Sequence, residues 1–280
     1  MHKMIVMLVA IGISFVYGKA QQVLGEASLK CSYTHTYLKD TLNNIQSKDL
    51  LYLQIGKTLS KCYSYYTFQS DSLSQAKDGS EIRRQLLKKA IADAKGGIPQ
   101  GGFPYKRMRT YVYKNYPQGK MTVTDGISTQ DYIYEDELNA QNWQISDSVK
   151  TIMDYSCQKA VCNFRGRQWT AWFSTDIPIS DGPWKFGGLP GLILEVYDKQ
   201  KQYHYFINGL EKVEGEPIIF SKSNTGNKKF ERTSRRDFLK AQKRYLLDIY
   251  GYIELETGID LGKNNSQKVI QYDLIELDYK

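Results

Sequence analysis

Asp181–Glu195 reads D-G-P-W-K-F-G-G-L-P-G-L-I-L-E, and its reading decides the fold. Asp181, Gly182 and Pro183 are turn residues. Trp184 and Phe186 are an aromatic pair of the kind that buries. Gly187, Gly188, Pro190 and Gly191 then make a tight bend. Proline restricts φ there, and glycine follows backbone paths that a Cβ forbids. Leu192-Ile193-Leu194 leaves no polar side, which predicts a strand covered on both faces. The stretch therefore predicts a structural corner pinned to the core by Trp184 and Phe186. It carries no catalytic group beyond its carboxylates.

Outward from this corner the pattern is β. Upstream, Arg107–Lys114, Lys120–Thr124, Asp131–Tyr134, Trp143–Ser146, Lys150–Tyr155, Gln158–Phe164 and Gln168–Phe173 read as a meander. Its turns fall at Pro117-Gln-Gly119, Asp125-Gly126 and Arg165-Gly166. Downstream, Leu192–Tyr197 and Tyr203–Val213 pair around Asp198–Gln202, and Pro217–Ser221 and Val269–Leu277 are β-like. Ser28–Tyr37, Leu50–Ile55 and Cys62–Gln69 are early strands, with a turn near Gly56-Lys57, and Asp71–Gly79 reads as a polar loop.

Two helices interrupt the strands. Over Ser80–Ala94, the residues Ile82, Leu86, Ala90, Ile91 and Ala94 recur at helical spacing. Over Arg235–Tyr250 the stripe is Phe238, Ala241, Tyr245, Leu246 and Ile249, after a Ser234/Asp237 capping pair and before a terminating Gly251. Gly96–Pro104 follows a helix instead of opening one, so it reads as a flexible loop and not as a phosphate cradle. With 280 residues, 41% of them hydrophobic, the chain can build one sizeable core. The prediction is a mainly β (α+β) domain over residues 21–280. It is a curved antiparallel sheet or partial barrel with two helices packed on it.

The hexapeptide Gly188-Leu189-Pro190-Gly191-Leu192-Ile193 also carries a resemblance. Before it, in order, stand Cys157-Gln-Lys-Ala160, Phe164-Arg-Gly-Arg167, Trp169-Thr-Ala-Trp172, Asp176-Ile-Pro178 and Gly182-Pro-Trp-Lys-Phe186. Over about Trp143–Asp198 the chain resembles the GLPGLI family of exported proteins from Gram-negative bacteria. That resemblance implies location and architecture; the family's biochemical function is not established. It also implies an association with outer-membrane receptors, through genes that often lie nearby.

The first twenty residues read as a secretory signal peptide. Lys3 is the positive region, Met4–Tyr17 the apolar run, and Gly18-Lys19-Ala20 the small-residue site before Gln21. The run is shorter than the roughly 20 residues of a spanning helix, and no other segment is apolar enough to span. Removing Lys3 and Lys19 lowers the formal charge from +8 to +6, spread without a basic block, which argues against nucleic acid as a partner. Cys31, Cys62, Cys157 and Cys162 are an even set that predicts disulfides in an oxidising compartment. Cys31–Cys62 is the favoured pair, on strands expected to be neighbours. Cys157 and Cys162, five apart, point to opposite faces if they share a strand, and free buried thiols remain an alternative for them.

Chemistry is sparse. His35 and His204 sit in strand patterns, and no H-E-x-x-H, paired C-x-x-C or G-x-S-x-G occurs. No metal, organic cofactor or catalytic residue is predicted. Near the corner, Asp154, Asp176, Asp181, Glu195 and Asp198 admit a glycosidase-like pair, although Asp176 and Asp181 suit turns better. Trp169, Trp172, Trp184 and Phe186 are dense enough for a ligand or partner face, and Arg165 and Arg167 can grip an anion. The expectation is an exported envelope protein that binds an apolar or peptide ligand, or an outer-membrane partner. The alternative is a carboxylate-dependent periplasmic hydrolase.

Overall fold

A computed structural model describes residues 22–93, 105–223, 229–257 and 274–279. The predicted signal peptide, the Gly96–Pro104 loop and residues 269–273 of the last predicted strand lie outside them. The chain is mainly β. Its strands are β1 (Val23–Asp40), β2 (Ile45–Gly56), β3 (Ser60–Ser64), β4 (Tyr111–Lys114), β5 (Lys120–Ile127) and β6 (Gln130–Glu137). They continue as β7 (Gln144–Ile152), β8 (Tyr155–Phe164), β9 (Arg167–Ser174), β10 (Leu192–Asp198), β11 (Tyr203–Ile219) and β12 (Glu231–Arg232). All belong to one sheet, in the order β12-β6-β5-β4-β3-β2-β1-β11-β10-β9-β8-β7, with edges that do not meet. Neighbours are antiparallel except β12, which runs parallel to β6.

Period-2 alternation sets the core face. On β9, Trp169, Ala171 and Phe173 are buried, while Gln168 is exposed and Thr170 and Trp172 are half-buried. On β10, Leu192, Ile193 and Leu194 are all fully buried. One large apolar cluster joins Tyr33, Leu53, Cys62, Val112 and Met121 to Trp169, Phe173, Trp184, Phe186 and Tyr205. Helix α3 (Arg235–Leu247) adds Phe238 and Leu239 to it.

Several boundaries differ from the sequence pattern, for local reasons. The Cys62–Gln69 strand stops at Ser64, and helix α1 (Tyr65–Gln75) runs into the expected loop. Ser64 caps it by accepting from the Thr67 N–H at 3.2 Å, and Asp71 anchors it by accepting from Tyr111 Oη at 2.6 Å. Helix α2 (Gly79–Asp93) forms where expected, but Ile82, Leu87 and Ile91 are exposed and Ala90 is its buried apolar side chain. Asp125-Gly126 lies inside β5; the turn comes two residues later, at Ser128, whose φ is 48°. Lys150–Tyr155 is divided by a hairpin at Met153 and Asp154, both left-handed. The second predicted helix breaks at Asp248, which opens α4 (Ile249–Thr257) by accepting from the Gly251 N–H at 2.9 Å. Leu274–Leu277 is not a strand.

The expected Cys31–Cys62 bridge does not form; all four cysteines are free and buried. Cys31 faces Leu53 of β2, and Leu53 faces Cys62 of β3, so a whole strand separates the two thiols. Two ladder spacings amount to about 9.5 Å, well beyond the roughly 4.4–6.8 Å that a disulfide spans between Cα atoms. Cys157 and Cys162 share β8 at a separation of five.

Candidate functional site

The corner, Thr175–Gly191, joins β9 to β10 and packs into the main core. Residues from distant strands hold it. Lys114 of β4 donates to Asp181 Oδ1, the Gly182 carbonyl and the Phe186 carbonyl, each at 2.6 Å. The Trp184 N–H donates to Cys62 Sγ at 3.1 Å, and Tyr33 Oη to the Ile193 carbonyl at 2.8 Å. Trp143 Nε1 donates to the Gly187 carbonyl at 2.8 Å, and Gln141 Nε2 to that of Lys185 at 2.9 Å. Gly188 has φ +81°, and a Cβ on Gly191 would lie 2.1 Å from the Ser174 carbonyl oxygen. Both positions therefore require glycine. Trp184 itself is left-handed, at φ 50°, a strain of about 1–2 kcal/mol. Burial of its ring offsets that strain.

The predicted binding rings thus part company. Trp169, Trp184 and Phe186 are interior, with Trp169 and Phe186 edge-to-face at 4.7 Å. Trp172 lies on the opposite face of β9, half-buried, with Lys150 Nζ 4.4 Å from its ring centre. Lys150 also pairs with Glu195, whose other oxygen lies 2.7 Å from His204 Nε2. Burial opposes the charge on Glu195, but His204 and Lys150 outweigh it and lower its pKa.

Arg165 and Arg167 grip carboxylates of the chain itself. Arg167 donates to Asp198 at 3.0 Å and to Gln202 at 2.7 Å. Arg165 pairs with Asp136, and Lys185 bridges Asp136, at 2.8 Å, to Glu276. Arg235 holds Glu276 at 2.6 Å and Asp278 at 2.7 Å. Burial opposes the charge on Lys185, but Glu276, Tyr134 and Asp136 override it and raise its pKa. Of the five carboxylates considered for catalysis, Asp181, Glu195 and Asp198 are ion-paired, while Asp154 and Asp176 are exposed. Among the described residues, no three His, Cys, Asp or Glu side chains are grouped to hold a metal ion.

Two interior groups stand apart. His35 is buried in a stack with Tyr205, centroids 4.2 Å apart, and neither ring nitrogen has a hydrogen-bond partner. Burial, with a lesser contribution from His204, lowers its pKa to about 3. Lys61 is buried among Tyr63, Phe68, Tyr111 and Tyr113 and donates to the Ile219 carbonyl at 2.8 Å and Ser221 Oγ at 3.1 Å. Burial lowers its pKa to about 7, against a raising influence from Asp71.

One concave apolar site lies away from the corner. A cleft of about 560 Å³ opens where the N-terminal end of β1 meets the far end of β11 and the β2–β3 turn. Ala27, Leu59 and Ile218 form its buried apolar wall, and Leu24 and Val213 flank it. Register shifts in β1 accompany it, between Val23 and Gly25 and between Ala27 and Leu29. Sequence reasoning did not find this site, because its residues come from three separated segments. The Lys185 cluster did leave a signal: a lysine between two core aromatics needs buried anions.

The fold and this geometry define a mainly β protein organised around a buried corner. Residues 163–195, from the end of β8 through β9 and the corner into β10, match the model of a family described as a protein of unknown function (Porph_ging). No curated protein matches the chain. A solved structure of PNGF-II in space group P21 is similar at 9% identity and TM-score 0.50, covering 78% of this chain and 33% of that one. PNGF-II in space group C2 is similar at 10% identity and TM-score 0.49, covering 77% and 32%. The chain spans about a third of the length of these structures. At such identity the likeness shows fold alone. No helix among the described residues is long and apolar enough to cross a membrane.

Proposed function

We propose that this chain is an exported, GLPGLI-type protein of the cell envelope that binds an apolar or peptide ligand and catalyses no reaction. The apolar cleft between β1, β11 and the β2–β3 turn carries the reading. Its volume lies in the range of small-molecule sites, and Glu26, Lys57 and Glu214 rim the apolar wall of Ala27, Leu59 and Ile218. The ion-paired state of Asp181, Glu195 and Asp198 weakens the hydrolase alternative, because a catalytic carboxylate must be open to a substrate or water. Export rests on the N-terminal charged and apolar pattern. An outer-membrane partner fits the same setting. The sheet supports the reading as a partial barrel curled around the corner, with α3 packed on it: residues of β1, β3, β4 and β9 all reach that one segment.

Gly25 provides the test. A Cβ built there meets only Leu59 Cδ2, at 3.9 Å, so a larger side chain enters the cleft without striking the backbone. Titration with anilinonaphthalene sulfonate should show saturable binding that Gly25→Leu weakens at least tenfold while the melting temperature holds. Equal binding by the two proteins removes the cleft from consideration. Mass spectrometry of molecules that co-purify with envelope-derived protein then identifies the natural ligand.

A further inference from the structure

Residues 274–279, Leu-Ile-Glu-Leu-Asp-Tyr, belong to no helix or strand, yet Leu274, Glu276 and Tyr279 are buried. They lie on the tip of the β8–β9 hairpin. A Cβ on Gly166, whose φ is +79°, would stand 2.8 Å from Leu277 Cβ, so the missing side chain admits the segment. Its main chain is held by the two flanking arginines. The Leu277 N–H donates to the Arg165 carbonyl at 2.9 Å. The Arg167 guanidinium donates to the Leu274 carbonyl at 2.8 Å and the Ile275 carbonyl at 3.0 Å.

The side chains are read by charge. Glu276 meets Lys185, Arg235 at 2.6 Å and Arg165 at 3.6 Å. Asp278 meets Arg235 through two nitrogens, at 2.7 and 2.9 Å, and Arg165 at 3.4 Å. Arg165, Lys185 and Arg235 bring three positive charges, and Asp136 brings one negative charge. Without the segment these four side chains carry +2, since 3 − 1 = 2; Glu276 and Asp278 cancel it. A buried charge without a counter-charge is strongly disfavoured. The groove therefore selects a dianion, and its main-chain contacts hold a backbone that bends at Ile275 and turns at Asp278 and Tyr279.

We propose that the groove formed by Arg165, Arg167, Lys185 and Arg235 is a peptide-recognition site. The chain's own 274–279 segment fills it in cis. In trans it takes a segment of a partner protein that carries two carboxylates two residues apart, set among apolar residues as Glu276 and Asp278 are. This site is separate from the apolar cleft and stands or falls independently of it.

The experiment uses the folded chain with a protease site placed between Thr257 and Leu274, cleaved after folding. A fluorescent peptide of sequence 274–280 is then titrated by anisotropy, with circular dichroism read in parallel. The expected result is exchange into the groove at one peptide per chain. A peptide carrying Glu276→Gln and Asp278→Asn should bind roughly 100-fold more weakly, through loss of both carboxylate charges. The proposal is overturned if the folded, cleaved protein takes up no labelled peptide or binds both peptides equally. It is also overturned if cleavage unfolds the protein, which would make the segment part of the core.

Discussion

Lys114 Nζ lies 2.6 Å from Asp181 Oδ1, a buried contact between β4 and the corner. The same ammonium holds the carbonyls of Gly182 and Phe186, so one lysine fixes both ends of the Gly182–Phe186 run. Lys114→Met leaves a carboxylate and two carbonyls buried without this donor. Urea denaturation should show a loss of about 3–5 kcal/mol. A loss below about 1 kcal/mol would mean that the pair behaves as a surface ion pair.

His35 makes the fold sensitive to acid. Its folded pKa, about 3, lies below the ordinary 6.5, so the unfolded chain binds more protons between those values. Stability contributed by the neutral ring therefore falls as pH drops from 6.5 toward 3. His35→Phe keeps the stack on Tyr205 and removes the titration. At pH 4.5 the variant should retain roughly 2–3 kcal/mol that the wild type has lost relative to pH 7. Parallel acid profiles for the two proteins would exclude this role.

Lys61 acts at the other end of the pH scale. Its folded pKa is lowered to about 7 from 10.5, so stability rises as pH increases through that interval. Lys61→Met should lack this rise. Between pH 7 and 8.5 the wild type should gain about 2 kcal/mol relative to the variant. The interval stops short of pH 9, above which the raised thiol pKa values of Cys31 and Cys62 pull in the opposite direction. A constant difference across the interval would contradict the assignment.

Four buried thiols should be silent in the native protein. Burial pushes Cys31 and Cys162 up to about 12 and Cys62 up to about 11, and it raises Cys157 as well. The thiolate is the reactive form, so a disulfide-exchange dye at pH 8 should find almost none. After denaturation without reductant it should count all four. A denatured count of two or zero would establish a bridge that this fold does not contain.

What was legible in the sequence follows from the range of the forces involved. Alternation on β9 and the apolar run of β10 reveal burial because period-2 patterning is local. The bend at Gly188 and Gly191 was equally readable, since steric exclusion acts within the chain segment. Helix α1 was not, because its Tyr- and Ser-rich sequence has no apolar stripe and its anchor is Tyr111, 40 residues from Asp71. The cysteine pairing failed for a related reason: β2 follows β1 in the chain but also separates it from β3. The type and spacing of Arg165 and Arg167 suggest anion grips, yet the partners Glu276 and Asp278 of Arg165 lie more than 100 residues away, and only the folded topology joins them. The apolar cleft is the extreme case, for no one of its three contributing segments is distinctive alone.

The central claim is that Asp181–Glu195 is the structural core of the sheet and that the apolar ligand binds elsewhere, in the cleft between β1, β11 and the β2–β3 turn. Gly191→Ala tests it most directly, since the added Cβ meets the Ser174 carbonyl at 2.1 Å and backbone must move. Urea unfolding of the variant should be measured beside anilinonaphthalene sulfonate binding by its folded fraction. The account predicts a loss of at least about 2 kcal/mol in stability with unchanged affinity. Unchanged stability with abolished binding would contradict it and make the corner a functional surface.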